Sequence, residues 1–205
     1  KQEWIDRWMP KLTSDEVPIN PYRIVWDLMH TVDLDNTIIT HESGSAREQV
    51  VPFWEARDPR SFIGWGKSTQ LGYSLGLAMG AKVAEPDKQV INVMGDFAFG
   101  AVGLDVETAV RAKIPILTIV MNNSIMAIYS DSRFPVAIDR YDAKRVSGQF
   151  AEVAQAMGAF SEKVTDPGEI IPAIRRGLEV TRSGRPALLE FITKEEGEYS
   201  KFRFG

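Results

Sequence analysis

Short, largely apolar segments alternate with segments of helical periodicity along most of the chain. The apolar segments, at residues 37–40, 90–94, 116–121 and 187–192, are typical of strands that are buried on both faces. Helical spacing of apolar side chains is found at residues 21–32, 71–84, 103–112, 148–158 and 169–181. Strands that alternate with helices predict an α/β fold, a three-layer open parallel sheet with helices on both faces.

Polar residues follow two of these strands directly. Gly95 and Asp96 come after the strand at 90–94, and Asn122 and Asn123 end the strand at 116–121. Right-handed crossovers bring the carboxyl ends of parallel strands to one edge, where open α/β sheets bind ligands. We interpret residues 95–100 as a loop that leads into a helix near Gly100, whose N-terminus would favour an anion.

One carboxylate with amide oxygens, without nitrogen or sulfur ligands, suits Mg²⁺ or Ca²⁺ rather than zinc. The strand ends therefore predict a metal-bridged phosphate or diphosphate site. The alternative stays open at this point, because Gly-Asp and Asn-Asn pairs are also common in ordinary turns and helix caps.

Three glycines recur at every fourth position of one predicted helix. Gly72, Gly76 and Gly80 would lie along a single stripe of that helix. Each glycine costs a helix roughly 1 kcal/mol, so we expect another backbone to pack closely against this stripe.

Composition excludes several classes of function. The 205 residues are 44% hydrophobic and 25% charged, which is typical of a globular domain. The absence of cysteine rules out disulfides, thiolate metal sites, Fe–S clusters and cysteine nucleophiles. The net charge of -4 argues against nucleic acid as a partner. The longest apolar stretch is too short to span a membrane, and we expect a cytoplasmic protein.

The run Gly95-Asp96-Phe97, followed after 24 residues by Asn122-Asn123, resembles the GDG-x(about 25)-NN signature of thiamine diphosphate (ThDP) enzymes. The resemblance extends over nearly all of residues 18–195 and includes the glycine-rich helix of the acetolactate synthase group. The chain is thereby identified as the C-terminal diphosphate-binding (PP) domain of a ThDP-dependent enzyme, similar to acetolactate synthase or 2-hydroxyacyl-CoA lyase. The implied cofactors are thiamine diphosphate and Mg²⁺.

The resemblance also implies which residues form the site. Asp96 and Asn123 would ligate Mg²⁺ through side-chain oxygens, and Ile125 through its backbone carbonyl. Leu71 falls where the family keeps a bulky apolar residue under the cofactor, and Thr69 where a backbone carbonyl receives the 4′-amino group. The other expected cofactor contacts are Ser43 and Ser45, as phosphate donors, with Gly95, Phe97, Ala98 and Met126.

Two features depart from the family's pattern. Phe97 stands at the third position of the GDG signature, where the family has glycine, so it either adopts an ordinary conformation or shifts the cofactor slightly. The loop near Glu42 lacks the Gln-His pair expected of a typical acetolactate synthase. The implied function is a C–C bond lyase or carboligase acting on 2-oxo acids, acetolactate synthase-like.

Two alternatives to that function remain. The first is an enzyme like 2-hydroxyacyl-CoA lyase or oxalyl-CoA decarboxylase, so that the small-molecule substrate is a 2-oxo acid or an acyl-CoA. The second is a non-catalytic diphosphate-binding or regulatory domain, for which Phe97 is the best support.

The expected organisation is a linker from an upstream domain (residues 1–17), the ThDP domain (18–195) and a C-terminal tail (196–205). The chain begins at Lys1 rather than Met, so we expect a piece of a longer or processed polypeptide. No catalytic residue is expected in it. The family's activating glutamate would lie on a pyrimidine-binding domain of the same or a partner chain, which implies a homodimer or homotetramer.

Overall fold

The computed structural model describes residues 2–64, 70–126 and 130–200, and within them six strands form one sheet. Every neighbouring pair is parallel, and the order across the sheet is β2-β1-β3-β4-β6-β5. The strands are β1 (Thr37–His41), β2 (Phe62–Ile63), β3 (Gln89–Gly95), β4 (Leu117–Asn122), β5 (Phe160–Val164) and β6 (Ala187–Ile192). The predicted open parallel sheet is confirmed.

Helices cover this sheet on both faces. They are α1 (Gln2–Leu12), α2 (Pro21–Thr31), α3 (Ser45–Val50), α4 (Tyr73–Ala84), α5 (Asp96–Val102), α6 (Val106–Arg111), α7 (Pro135–Tyr141), α8 (Phe150–Ala156) and α9 (Ile170–Arg182). Short 3₁₀ turns lie at Leu34–Asn36, Gly103–Asp105, Asp131–Arg133 and Pro167–Glu169. No helix in these ranges is long and apolar enough to cross a membrane.

The two faces of the sheet bury two separate apolar clusters. Ile91 and Val93 pack under α1, α2 and α9, whereas Val90 and Met94 pack under α4, α5, α6 and α8. Successive residues of a strand point to opposite faces, so both parities must be apolar. This arrangement explains the continuous apolar runs of β3 and β4.

A polar pair lies inside the sheet, between β1 and β3. Thr40 is paired in register with Asn92, and both residues are fully buried. The Thr40 Oγ–H is directed to Asn92 Oδ1 at 3.1 Å and to the carbonyl oxygen of Ser74 at 3.2 Å. These buried polar groups are thus satisfied by each other and by the start of α4.

The loop interpretation of residues 95–100 is wrong. Helix α5 begins at Asp96, directly after β3, and not near Gly100. Asp96 accepts a hydrogen bond from the first-turn N–H of Phe97, which favours helix at this point. The predicted helix at 103–112 is divided into a 3₁₀ turn and α6. The short elements β2, α3, β5 and α7 were not predicted.

The glycines of α4 serve different purposes. Gly72 precedes the helix with a φ of 97°, and a Cβ on it would lie 2.6 Å from Val102 Cγ1. At Gly76 and Gly80, no described atom outside the adjacent residues and the local helix backbone lies within 4 Å of the Cβ position. The close backbone packing expected along this stripe is therefore not formed within the described part of the chain.

Residues 195–200 pack against α1 and α2. Tyr22 Oη donates to the carbonyl oxygen of Glu198 at 2.8 Å, and Trp4 Nε1 donates to Ser200 Oγ at 3.2 Å. Lys11 Nζ lies 2.9 Å from Glu196 Oε2 and 2.8 Å from Glu198 Oε2. The described part of the tail is held in place, while the division of the chain at residues 17 and 195 stays a prediction.

The strand order places a crevice between β1 and β3. The chain passes from β1 outward to β2, then returns across β1 to β3 and continues to β4. The direction of winding thus reverses between β1 and β3, and in open α/β sheets ligands bind outside the carboxyl ends of the strands at such a reversal.

Candidate functional site

A cavity of about 210 Å³ opens at the carboxyl ends of β1, β3 and β4, where the winding reverses. It gathers ten of the eleven residues expected to contact a cofactor, and Thr69 lies outside the described residues. The ten are Ser43, Ser45, Leu71, Gly95, Asp96, Phe97, Ala98, Asn123, Ile125 and Met126. Their contacts with a cofactor stay a prediction, but they line one cavity.

Asp96 connects the two strand ends that the sequence singled out. Its carboxylate is 4% exposed, accepts the Phe97 N–H on Oδ1 at 2.7 Å and accepts the Ser124 N–H on Oδ2 at 2.6 Å. Burial raises the pKa of Asp96 to about 6, although the backbone N–H groups around it oppose the rise. A cation in the cavity would favour the ionised carboxylate.

The two asparagines after β4 have different neighbours. Asn122 is buried, accepts hydrogen bonds from Ser124 and donates from Nδ2 to Glu190 Oε1 at 2.7 Å. Asn123 lines the cavity, and its Oδ1 accepts the Ile125 N–H at 3.0 Å. The first amide therefore supports the turn from behind, while the second lies in the cavity wall.

The oxygen groups here suit a hard divalent cation. Among the described residues that line the cavity, Asp96 supplies the one carboxylate, and the described residues contain no group of three or more His, Cys, Asp and Glu that could hold a metal. On either side of Ile125, the Met126 N–H donates to the carbonyl oxygen of Lys144, and the carbonyl oxygen of Ser124 accepts the Val146 N–H. The carbonyl oxygen of Ile125 accepts no hydrogen bond from any described residue. Each carboxylate or amide oxygen has two lone pairs, so one bond to an N–H leaves room for a metal. These groups fit Mg²⁺ whose other ligands come from phosphate and water.

Phe97 adopts an ordinary conformation. It lies in the first turn of α5 and is not among the described residues with positive φ. Its side chain is half-buried in the cavity wall. The backbone conformation at this position therefore does not demand the glycine of the signature.

Glu42 organises the opposite wall of the cavity. Its carboxylate is fully buried and accepts the Ser43 N–H on Oε1 at 2.9 Å. Oε2 accepts the Gly72 N–H at 3.1 Å and the Ser74 Oγ–H at 2.8 Å, which caps α4. Because Gly72 follows Leu71, one side chain connects the Ser43 loop to the turn that carries Leu71. The sequence reasoning did not assign this role.

Ser45 already has one partner. Its Oγ lies 2.9 Å from the hydroxyl of Tyr199, which belongs to the tail segment packed on α1 and α2. Burial raises the pKa of Tyr199, so this hydroxyl stays protonated near neutral pH. Either hydroxyl can donate to the other, and when Tyr199 donates to Ser45, the Ser45 O–H remains for a ligand that accepts.

Two further cavity residues, Arg47 and Gln49, were missed by the sequence reasoning. Gln49 is 3% exposed, yet its side chain makes no hydrogen bond to the rest of the described chain. Arg47 Nη2 lies 2.7 Å from Glu48 Oε1. The helical spacing of Ser45 and Gln49 was the available signal, but α3 was not predicted, so their common face was not seen.

Comparison with known proteins agrees with this geometry. The family model described as "Thiamine pyrophosphate enzyme, C-terminal TPP binding domain" matches residues 42–191. A "Probable acetolactate synthase large subunit" of Methanocaldococcus jannaschii is 27% identical over 212 residues, which cover 94% of this chain and 34% of that protein. A "2-hydroxyacyl-CoA lyase" of Oryza sativa subsp. japonica is 31% identical over 193 residues, covering 89% and 33%.

A solved structure shows the same fold. It is a thiamine diphosphate-dependent 4-hydroxybenzoylformate decarboxylase of Rhodococcus jostii RHA1, with a TM-score of 0.75 and 23% identity. The match covers 88% of this chain and 33% of that one. The chain spans about a third of the length of the curated relatives named above. It belongs to the family of C-terminal TPP-binding domains of thiamine pyrophosphate enzymes.

Proposed function

We propose that this chain binds the diphosphate and Mg²⁺ in a ThDP-dependent C–C bond lyase or carboligase that acts on 2-oxo acids, similar to acetolactate synthase. The observation that carries the proposal is the common cavity of Asp96 and Asn123 at the ends of β3 and β4. Membership of a TPP-binding family supports thiamine diphosphate as the cofactor.

The residues around the cavity would have different roles in binding the metal and the cofactor. Asp96, Asn123 and the carbonyl of Ile125 would hold Mg²⁺, and Ser43 and Ser45 would donate to phosphate oxygens. Leu71 would support the cofactor from the opposite wall. Thiamine diphosphate, when bound, supplies the carbon nucleophile and the electron sink, while the protein supplies binding, orientation and electrostatics.

Gln49 supports a polar ligand in this cavity. The Gln49 amide makes no hydrogen bond to the described residues, and a ligand with hydrogen-bonding groups in the cavity would pair with it. The apolar residues Leu71, Met121 and Met126 line the same cavity. A ligand with a charged end and an apolar ring would match both kinds of lining.

The rest of the active site would come from elsewhere. The chain spans about a third of its relatives, and we propose that a pyrimidine-binding domain of the same or a partner chain supplies the activating glutamate. A homodimer or homotetramer in the cytoplasm is part of this proposal.

Two other functions have specific support. The similarity to a protein named 2-hydroxyacyl-CoA lyase favours an acyl-CoA substrate, as in that enzyme or an oxalyl-CoA decarboxylase relative. Phe97, in place of the signature glycine, favours a non-catalytic diphosphate-binding or regulatory domain. Both remain distinguishable by experiment.

Titration calorimetry of the full-length protein with thiamine diphosphate tests the proposal. We expect binding that requires Mg²⁺ and is lost in Asp96→Ala, whereas Asp105→Ala, an exposed aspartate near the same helix, should bind normally. Absence of binding, or binding indifferent to both Mg²⁺ and Asp96, would contradict it.

A turnover assay distinguishes the three functional hypotheses. Release of CO₂ from pyruvate alone supports the acetolactate synthase-like enzyme. Cleavage of a 2-hydroxyacyl-CoA without activity on pyruvate supports the alternative enzyme. Cofactor binding without turnover of either substrate supports the non-catalytic domain.

A further inference from the structure

Glu190 is a fully buried carboxylate in the middle of β6. Removing a carboxylate from water is costly unless it is paired or hydrogen-bonded. None of the ion pairs within the described residues involves Glu190. Its oxygens instead accept the Asn122 Nδ2–H at 2.7 Å and the Ala151 N–H at 2.8 Å, in the first turn of α8.

Glu190 and Asn122 are diagonal neighbours on one face of the sheet. Val120 pairs with Glu190 and Asn122 pairs with Ile192, which brings the two side chains together across β4 and β6. Both Glu190 oxygens accept hydrogen bonds, and the Ser124 N–H on the other side of Asn122 donates. The Asn122 amide therefore has one satisfied orientation, with Nδ2 toward Glu190 and Oδ1 toward Ser124.

This orientation supports a turn with an unusual backbone. Ser124 has a φ of 60°, in the left-handed region that residues other than glycine seldom adopt. Asn122 Oδ1 accepts both the N–H of Ser124 at 3.0 Å and its Oγ–H at 3.1 Å. The same N–H donates to Asp96 Oδ2 at 2.6 Å. A continuous set of hydrogen bonds thus runs from Glu190 through Asn122 and Ser124 to Asp96.

We propose that Glu190 is a positioning residue for the candidate Mg²⁺ site, an inference that rests on the proposed function. Glu190 orients Asn122, Asn122 holds the turn at Ser124, and that turn sets where Asn123 Oδ1 and the Ile125 carbonyl lie relative to Asp96. Glu190 itself does not line the cavity. Its effect on the candidate site passes through the Asn122 amide, whereas its second bond, from the Ala151 N–H, holds α8.

The decisive variant is Glu190→Gln in the full-length protein. Glutamine offers one acceptor oxygen for two donors, and because the Ala151 backbone N–H cannot turn away while the Asn122 amide can rotate, Asn122 loses its oriented acceptor. With Mn²⁺ as the probe and free Mn²⁺ measured by electron paramagnetic resonance in the presence of thiamine diphosphate, we expect affinity to fall about 10–100-fold. The matched control is Glu152→Gln, which removes an exposed charge from the same first turn of α8 and should leave Mn²⁺ affinity unchanged.

A second measurement uses the metal-free protein. Hydrogen exchange at the Ser124 amide should become faster in Glu190→Gln, while the sheet amides of β3 keep their protection. The effect should also be non-additive with Asn122→Ala, because Glu190 has nothing to orient once the amide is gone. If Glu190→Gln does not fold, Asn122→Ser provides the same metal-affinity and exchange comparison.

The outcomes distinguish a failure of the proposed function from a failure of the positioning role of Glu190. A wild-type protein that does not bind Mn²⁺ with thiamine diphosphate contradicts the proposed function. A folded Glu190→Gln with wild-type Mn²⁺ affinity and unchanged Ser124 exchange overturns the positioning role alone. Additive losses in the double variant also overturn it, because they would show that Glu190 acts by another route.

Discussion

The buried carboxylate of Glu42 accepts a 3.1 Å hydrogen bond from the backbone N–H of Gly72, thirty residues later. This bond joins the end of β1 to the turn before α4. The same side chain accepts the N–H of Ser43 and the hydroxyl of Ser74. One acceptor group thus holds two parts of the cavity wall in a fixed relation.

Removing that carboxylate should destabilise the fold. We expect Glu42→Ala to lower the free energy of unfolding by about 3 kcal/mol, because several buried donors lose their acceptor at once. Urea denaturation measures the change. Glu107→Ala, which removes an exposed glutamate paired with Arg111, should cost less than about 1 kcal/mol. Equal losses in the two variants would contradict the role of Glu42.

The glycines of α4 should respond in opposite directions to alanine. Gly72→Ala should destabilise by more than about 1 kcal/mol, because its φ of 97° and the nearby Val102 leave no room for a Cβ. Gly80→Ala should stabilise by up to about 1 kcal/mol, because it lies on an open helical face. Thermal unfolding of the full-length variants compares them. A clear loss at Gly80 would mean that another part of the protein covers α4.

Gln49→Leu should separate stability from binding. Because the Gln49 amide lines the cavity and makes no hydrogen bond to the described residues, leucine of similar size should change the free energy of unfolding by less than about 1 kcal/mol. The same change should weaken thiamine diphosphate binding, because the ligand loses a hydrogen-bonding group. Denaturation and calorimetric titration give the two values, and Gln155→Leu on the exposed face of α8 is the control. If both values fall together, Gln49 is only a structural residue.

The contributions of the Ser45 and Tyr199 hydroxyls to cofactor binding can be measured separately, although the two groups are in contact. We expect Ser45→Ala to weaken thiamine diphosphate binding about tenfold, since one hydrogen bond to a charged phosphate is worth about 1.5 kcal/mol or more. Tyr199→Phe leaves the Ser45 hydroxyl in place and should change the affinity less than about threefold. Titration at saturating Mg²⁺ measures both. Equal losses would point to the packing of the tail instead.

The contact of the tail with α1 should depend on pH. Burial acts to raise the pKa of Glu196, but the hydrogen bond and charge of Lys11 outweigh it and lower this pKa below the usual 4.5. Burial acts to lower the pKa of Lys11, but Glu196 and Glu198 outweigh it and raise this pKa above 10.5. The Glu196 contribution is therefore present above pH 4.5 and lost as pH falls through the lowered pKa. The Lys11 contribution is lost only as pH rises past 10.5.

Hydrogen exchange at Glu198 tests this dependence, because its N–H donates to Glu196 Oε1 at 2.9 Å. The protection factor of this amide should be highest between about pH 5 and 10 and fall at lower pH, by an amount worth about 1 kcal/mol or less. Lys11→Met should reduce the protection at neutral pH and flatten the profile. An unchanged profile in that variant would show that other contacts hold the tail.

The parallel sheet and the strand-end residues of the site could be predicted from the sequence, for a physical reason. Strands buried on both faces are apolar at most positions, so the polar residues Asp96 and Asn123 were conspicuous at their ends. Parallel topology then brought those ends together. The lining of one cavity by both residues agrees with that argument.

Other parts of the site left no comparable signal. Helix α3 has six residues, which is less than two turns of periodicity, so Gln49 could not be placed on a face. The start of α5 was misread because its glycines and Asp96 are also typical of turns. Glu190 interrupts an apolar strand, and its partners lie 68 and 39 residues away, where no local pattern reaches.

The buried pair of Thr40 and Asn92 has a consequence for the cavity beyond the satisfaction of its own polar groups. Sliding β1 along β3 would separate this pair and leave two polar side chains unpaired in an apolar layer, so the bond fixes the pairing register. Residues 42–45 and 95–98 continue directly from these strands. The offset between the two cavity walls is therefore set inside the sheet, before any ligand arrives.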